Sequence, residues 1–197
     1  GRTDRFITAL GVGAHLEAWG VPAARISELD WWETLGFRGL TITATPARHF
    51  SGRGLTGRQQ TLWCGFALER ATAEGSGHKI YVSGDSGYDA HFKQIGERLG
   101  PFDLTLMECG QYSEYWPELH MNPEETARAH LDAGGRVLLP VHWGAFNLSL
   151  HGWTEPVERL LRAAGPAGIS VATPMIGQTW QLGTEPPTLP WWSAVDV

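Results

Sequence analysis

The chain has 197 residues, of which 42% are hydrophobic and 18% charged, with a formal net charge of −6. A chain of this size and apolar content buries roughly 70% of its unfolded surface, so a single folded domain over residues 1–197 is expected and disorder is not the default. The acidic balance leaves no basic field for a phosphate backbone, which excludes nonspecific nucleic-acid binding, and no apolar stretch approaches the length of a membrane span.

Strands and helices alternate along the chain. "GLTITATPARHF", from Gly39 to Phe50, is rich in Thr and Ile at a period near two and predicts a strand ending near His49. "TLWCGFALE", Thr61 to Glu69, predicts a second strand, and the polar, Gly-rich "SGRGLTGRQQ" between them a loop. "KIYVSGDSGYD" repeats the pattern, with an apolar run from Ile80 to Val82 and then Asp85 inside a Ser/Gly turn. "FDLTLMECG" predicts a strand centred on Leu104 to Met107. A well-punctuated helix follows, with Asn122 as N-cap, Pro123 at its first position, Glu125 three after the cap, and Gly134-Gly135 at its stop. "RVLLPVHWGAF" then reads as a buried strand that gives out at His142, and "TEPVERLLRAAG" as a helix capped by Thr154 and ended by Gly165. "ISVATPM" predicts the last strand, and the Pro-rich tail at 184–197 an extended end whose Trp191 and Trp192 pack onto the body.

His49, Asp85 and His142 each stand just past an apolar run, among small residues that let a ligand approach. In layered α/β proteins, the loops leaving the carboxyl ends of strands are where chemistry collects. Two imidazoles and a carboxylate suit a divalent metal such as zinc, which lowers the pKa of bound water to about 7. Structural histidines and a capping aspartate are the alternative reading of the same residues. Cys64 and Cys109 are too few for a disulfide scaffold or a cysteine zinc knuckle and point to a reducing cytoplasm.

"TATPARHFSGRG", "SGDSGYD", "HMNPEE" and "PVHWGAF", in this order, resemble the later motifs of the metallo-β-lactamase superfamily, in the branch of N-acyl-phosphatidylethanolamine phospholipase D and its bacterial relatives. The likeness runs from about Leu10 into the Trp-Trp tail. It implies an α/β protein with an αββα sandwich and a metal pair at one edge of the two sheets. It also implies that His49 completes the ligands of the first metal, that Asp85 bridges both and acts in catalysis, and that His142 serves the second metal. The metals implied are two zinc ions or another divalent pair. The activity implied is hydrolysis by metal-bound hydroxide, with a phosphodiester of a small molecule or lipid headgroup as substrate and peripheral membrane contact allowed. His120 is similar to a family histidine near the substrate that orients or protonates the leaving group.

The family's His-x-His-x-Asp-His signature is absent: no His-x-His occurs, and the first histidine is His15. The chain, which starts at Gly1 and not at methionine, is therefore expected to be the carboxyl-terminal portion of a longer hydrolase, lacking the N-terminal part of the fold. A missing N-terminal segment or a homo-oligomer would complete the site, and the segment alone is expected to bind metal weakly and turn over little. Glu108, His91 and His151 are candidates for fixing ligand tautomers, whereas His78 and His130 read as surface residues. The tryptophans read as packing residues.

Other readings compete. "GDSG" at Gly84 to Gly87 matches the nucleophile loop of trypsin-like proteases, with Ser86 as nucleophile, but Tyr88 and Asp89 and the two capped helices do not fit that all-β family. "GVG" at Gly11 to Gly13 is too short for a dinucleotide fingerprint and lacks a strong preceding strand. Within the implied fold, a lactone or β-lactam competes with a phosphodiester as substrate. A non-catalytic binding or oligomerising module is the remaining class.

Overall fold

The computed structural model describes residues 3–52, 58–70, 77–146 and 148–195. The chain opens with a small parallel unit of β1 (Phe6–Ala9), α1 (Val12–Ala18) and β2 (Ile26–Leu29), with Phe6 opposite Ile26 and Ala9 opposite Leu29. These runs are too short for hydrophobic periodicity to announce them. A strand does precede Gly11-Val12-Gly13, contrary to expectation. The Gly13 N–H, however, donates to Glu28 Oε1 at 2.7 Å, so the short helix start is taken by the chain's own carboxylate.

The remaining strands are β3 (Thr34–Phe37), β4 (Leu40–Thr45), β5 (Gly65–Arg70), β6 (Lys79–Val82), β7 (Phe102–Glu108), β8 (Gly135–Val141) and β9 (Ser170–Val171). They form one seven-stranded sheet in sequence order. The pairings from β3 to β6 are antiparallel and those from β6 to β9 parallel. Arg38 and Gly39, both at positive φ, close the two-residue hairpin between β3 and β4, a turn whose twist matches that of the strands. The parallel strands need crossovers, supplied by α2 (His91–Leu99), α3 (Pro123–Asp132) and α4 (Glu155–Ala164).

Strand alternation divides the apolar residues between two faces. Tyr81 pairs with Thr105, and Thr105 with Leu138; this face meets Phe92 and Ile95 of α2, Ala127 and Ala129 of α3, and Leu160 and Ala164 of α4 in one buried core. On the other face Ile80, Leu104 and Val137 are in register and pack with Leu106, Leu139, Trp180 and Leu182. Ile80, Leu106 and Leu139 there are only half-buried. An apolar sheet face of this kind calls for a further layer, which is the arrangement of a sandwich.

Several boundaries differ from expectation. β4 ends at Thr45, so His49 stands on a loop beyond it, β5 starts only at Gly65, and the last strand is reduced to Ser170–Val171. The stretch at 53–57 of the expected loop between β4 and β5 lies outside the described residues. α2 is an element the sequence pattern does not announce, with Gly96 in its middle; a Cβ there would collide with the Asp132 carbonyl of α3, so the glycine serves helix packing. Asn122 forms a full capping box with Glu125, whereas Thr154 makes no side-chain cap bond. The tail packs as expected but is not extended throughout, since Trp191–Ala194 form a short 3-10 helix: Trp191 stacks on Trp143 at 5.7 Å, Trp192 meets Trp143 edge-on at 5.5 Å, and Trp192 is buried.

Candidate metal centre

β4 and β6 are both antiparallel to β5 and so run the same way, and β7 and β8 are parallel to β6. Their carboxyl ends therefore share one edge of the sheet. His49 follows β4, Asp85 follows β6, Glu108 closes β7, His142 follows β8, and His120 stands in the loop before α3.

The side chains converge. The His49 and His120 rings meet edge-on at 5.1 Å, and the His120 and His142 rings stack at 5.1 Å. His142 Nε2 is 3.7 Å from Asp85 Oδ1. The three residues read as metal ligands and the one read as acid or base thus occupy one cluster.

The backbone at the end of β8 is built for this. His142 has φ 65°, in the left-handed region that costs a non-glycine residue energy and persists only where the surroundings enforce it. That conformation breaks the strand's alternation. Gly110 makes room for it, since a Cβ at Gly110 would run into the His142 carbonyl. Asp85 follows Gly84, itself at φ 63°.

Histidine protonation is set locally. His49 Nδ1 is 2.9 Å from the Phe50 carbonyl, so it donates, and the lone pair is left on Nε2. That Nε2 is buried with no hydrogen-bond partner among the described residues. A buried acceptor without a partner is costly unless something absent from the protein part satisfies it. Together with the Asp85 carboxylate beside His142, this donor set fits zinc or another divalent metal of similar softness.

Glu108 is fully buried. Its Oε1 accepts from Met121 N at 2.5 Å, and its Oε2 accepts from His120 Nδ1 at 2.6 Å and stands 3.5 Å from His142 Nδ1. Its N–H donates to Ser83 Oγ and its carbonyl accepts from Thr126 Oγ1. The potential ligand atoms of Glu108, His120 and His142 fall within 4.8 Å of one another, which makes a second grouping able to hold an ion. The 2.6 Å contact is a hydrogen bond, which places the carboxylate behind the imidazole. The Glu108 carboxylate facing Nδ1 raises the His142 pKa against the opposing effect of burial, and Asp85 adds to the rise.

The other candidates fall elsewhere. His91 Nε2 is 3.1 Å from Ser86 Oγ, and burial pushes its pKa down to about 4. Ser86 is itself buried and accepts from Arg48 N at 2.9 Å, so it braces the segment leading to His49. A hydroxyl so enclosed is no protease nucleophile. His151 Nε2 accepts from Gln111 N at 2.9 Å and its ring stacks on Tyr112, on the wall of the cleft that opens beside His120. His78 is exposed as expected. His130 is not: it is 1% exposed, with Nδ1 2.7 Å from Thr105 Oγ1, because α3 turns it onto the sheet.

Sequence reasoning passed over Gln111, which is buried at φ 64°. Its Oε1 accepts from Leu148 N and Ser149 N, and its Nε2 donates to the Phe146 carbonyl. It thereby pins the loop after His142. Its only signal in the sequence is its place after Gly110, where the chain turns sharply. Beside His120 opens a cleft of about 430 Å³, lined among others by Tyr112, Tyr115, Leu150, Glu155 and Arg159.

A model of the Beta-lactamase superfamily domain matches residues 1–143, and the chain belongs to this family, the metallo-β-lactamase superfamily. An uncharacterised protein of Mycobacterium tuberculosis (strain ATCC 25618 / H37Rv) is 52% identical over 191 residues, covering 95% of the chain and 50% of that protein. The chain therefore spans about half the length of that relative. The mitochondrial N-acyl-phosphatidylethanolamine-hydrolyzing phospholipase D of Saccharomyces cerevisiae is 41% identical over 143 residues, covering 68% of the chain and 30% of that enzyme. Among solved structures, Igni18, a metallo hydrolase from Ignicoccus hospitalis, superposes with a TM-score of 0.60 at 19% identity, over 86% of the chain and 64% of its own. That likeness carries the fold. No helix among the described residues is long and apolar enough to cross a membrane.

Proposed function

We propose that the chain is the metal-binding carboxyl-terminal part, formed as one domain over 1–197, of a metal-dependent hydrolase acting on a phosphodiester in a small molecule or lipid headgroup. The observation that carries this reading is the convergence of His49, Asp85, His120 and His142, with a buried Nε2 on His49 that has no partner among the described residues. The phosphodiester is favoured over a lactone or β-lactam by the yeast relative, which is named as a phospholipase D.

His49, Asp85 and His142 would hold the metal, proposed to be zinc and two ions in the complete site, which supplies activation of water near neutral pH. The remaining ligands come from a preceding segment or from a second copy of the chain. His120 faces the cleft with its Nδ1–H committed to Glu108, so its Nε2 is the atom that receives or delivers a proton at the leaving group. The cleft lined by Tyr112, Tyr115 and Leu150 receives the leaving group. The cytoplasm is the proposed compartment, in keeping with two free cysteines.

The test is zinc content and affinity of the chain and of His49→Ala, Asp85→Ala and His142→Ala. Each replacement is expected to weaken zinc at least tenfold while circular dichroism stays that of the folded chain. A folded chain holding no zinc above background would overturn the reading for this segment.

A further inference from the structure

The carboxylate of Glu108 is buried from water and has no Lys or Arg partner among the described residues, yet it stands behind two of the clustered histidines at once. A buried carboxylate is expensive unless its oxygens are saturated by donors. Oε1 is fixed by Met121 N–H, at the turn just before the Asn122 cap of α3. That bond decides which oxygen is left for the rings. Oε2 then accepts from His120 Nδ1 at 2.6 Å and stands 3.5 Å from His142 Nδ1. The backbone of Glu108 is tied at both ends too, through Ser83 Oγ and Thr126 Oγ1. The carboxylate cannot easily swing away from either ring.

We infer that Glu108 is a positioning residue that fixes His120 by a hydrogen bond and, through the same oxygen, faces His142 Nδ1, which has no hydrogen-bond partner among the described residues, so that both rings present Nε2 to the ligand space. The inference rests on the metal-site reading for its purpose, but the orientation it asserts is a property of the chain without metal. Holding Nδ1–H on the His120 side of Oε2 forces the neutral ring into the tautomer whose lone pair is on Nε2. The same oxygen facing His142 leaves that ring's Nε2 toward Asp85. One side chain thereby couples a ring proposed to hold metal with a ring proposed to move a proton. Partners of this kind typically change metal affinity 10–100-fold when lost.

The experiment is side-chain nitrogen NMR of the histidines in the metal-stripped chain, followed by zinc titration, for the wild type, Glu108→Gln and Glu108→Asp. In the wild type, His120 is expected as the Nδ1–H tautomer. In Glu108→Gln, Met121 N–H keeps the amide oxygen at the Oε1 position and turns the amide NH2 toward His120, so the ring is expected to invert to the Nε2–H tautomer. Zinc affinity is expected to fall 10–100-fold in Glu108→Gln and to recover in part in Glu108→Asp. A wild-type His120 protonated on Nε2 overturns the proposal with no variant needed, as does an unchanged tautomer in a folded Glu108→Gln. Zinc loss in Glu108→Gln as complete as in His142→Ala also overturns it, since Glu108 would then be a ligand. A wild-type chain with the expected tautomer and no zinc binding defeats the metal reading for this segment and leaves the positioning role standing.

Discussion

His142 shows how a single residue can be selected against the preference of its own backbone. At φ 65° a side chain with a Cβ pays roughly 1–2 kcal/mol that glycine does not. A residue kept there for packing alone would be replaceable by glycine at a gain. His142→Gly and His142→Ala both remove the imidazole, but only glycine relieves the backbone. His142→Gly is therefore expected to be more stable than His142→Ala by about 1 kcal/mol in denaturant titrations, with zinc weakened alike in both. Equal stabilities would show the conformation to be unstrained. Gly110 provides the complementary test. A methyl group there meets the His142 carbonyl, so Gly110→Ala is expected to cost about 1–3 kcal/mol and to weaken zinc even though no ligand is touched.

Among the elements, α3 and α4 carry similar start signals in the sequence, yet only one is used. Asn122 accepts from Glu125 N at 2.9 Å while Glu125 Oε2 accepts from Asn122 N at 3.0 Å. Thr154 caps nothing with its side chain. Asn122→Ala is expected to cost about 1 kcal/mol and Thr154→Ala less than about 0.5 kcal/mol, read as shifts in denaturation midpoint. The Asn122 variant should also loosen the neighbouring Met121 N–H to Glu108 bond. This contrast marks how far the sequence could be read. Long, clearly punctuated elements were legible: α3, β7 and β8 lie where pattern and caps put them. The shared placement of His49, Asp85 and His142 was legible too, because each follows a strand end among small residues, and the structure brings all three to one edge of the sheet. What escaped depended on contacts between distant segments. The Gly96 packing that permits α2, the burial of His130 against Thr105, and the bracing of Gln111 leave no local pattern. Nor does the sequence say which of Glu108, His91 and His151 stands behind the clustered histidines, and of the three Glu108 does.

At the scale of the whole molecule, two buried histidines tie the stability of the helical face to pH. His91 and His130 are enclosed where α2 and α3 meet the sheet, and burial lowers the pKa of each from 6.5 to about 4. The unfolded chain takes up a proton on each ring near pH 6.5, while the folded chain resists until about 4. Between those values the unfolded state binds more protons, so stability is full above about pH 6.5 and drains as pH falls toward about 4. Each ring contributes up to about 3 kcal/mol over that window. His142 works in the opposite sense, because its pKa is raised and its protonation favours the folded state as pH falls, but it is one ring against two. The Glu155 carboxylate, held low by the Tyr112 hydroxyl and then by Arg159, and that of Glu124, which burial raises but Arg159 holds low, are protonated only further into acid. Urea midpoints of the metal-stripped chain are therefore expected to drop already between pH 6.5 and 5, before carboxylates titrate. Replacing His130 by Gln, which keeps a polar group near Thr105 Oγ1 but does not titrate, should flatten that drop at a fixed cost in stability. A wild-type midpoint that is level from pH 7 to 5 would show that these rings gain protons without cost and that the core around α2 and α3 is more open to water than its packing implies.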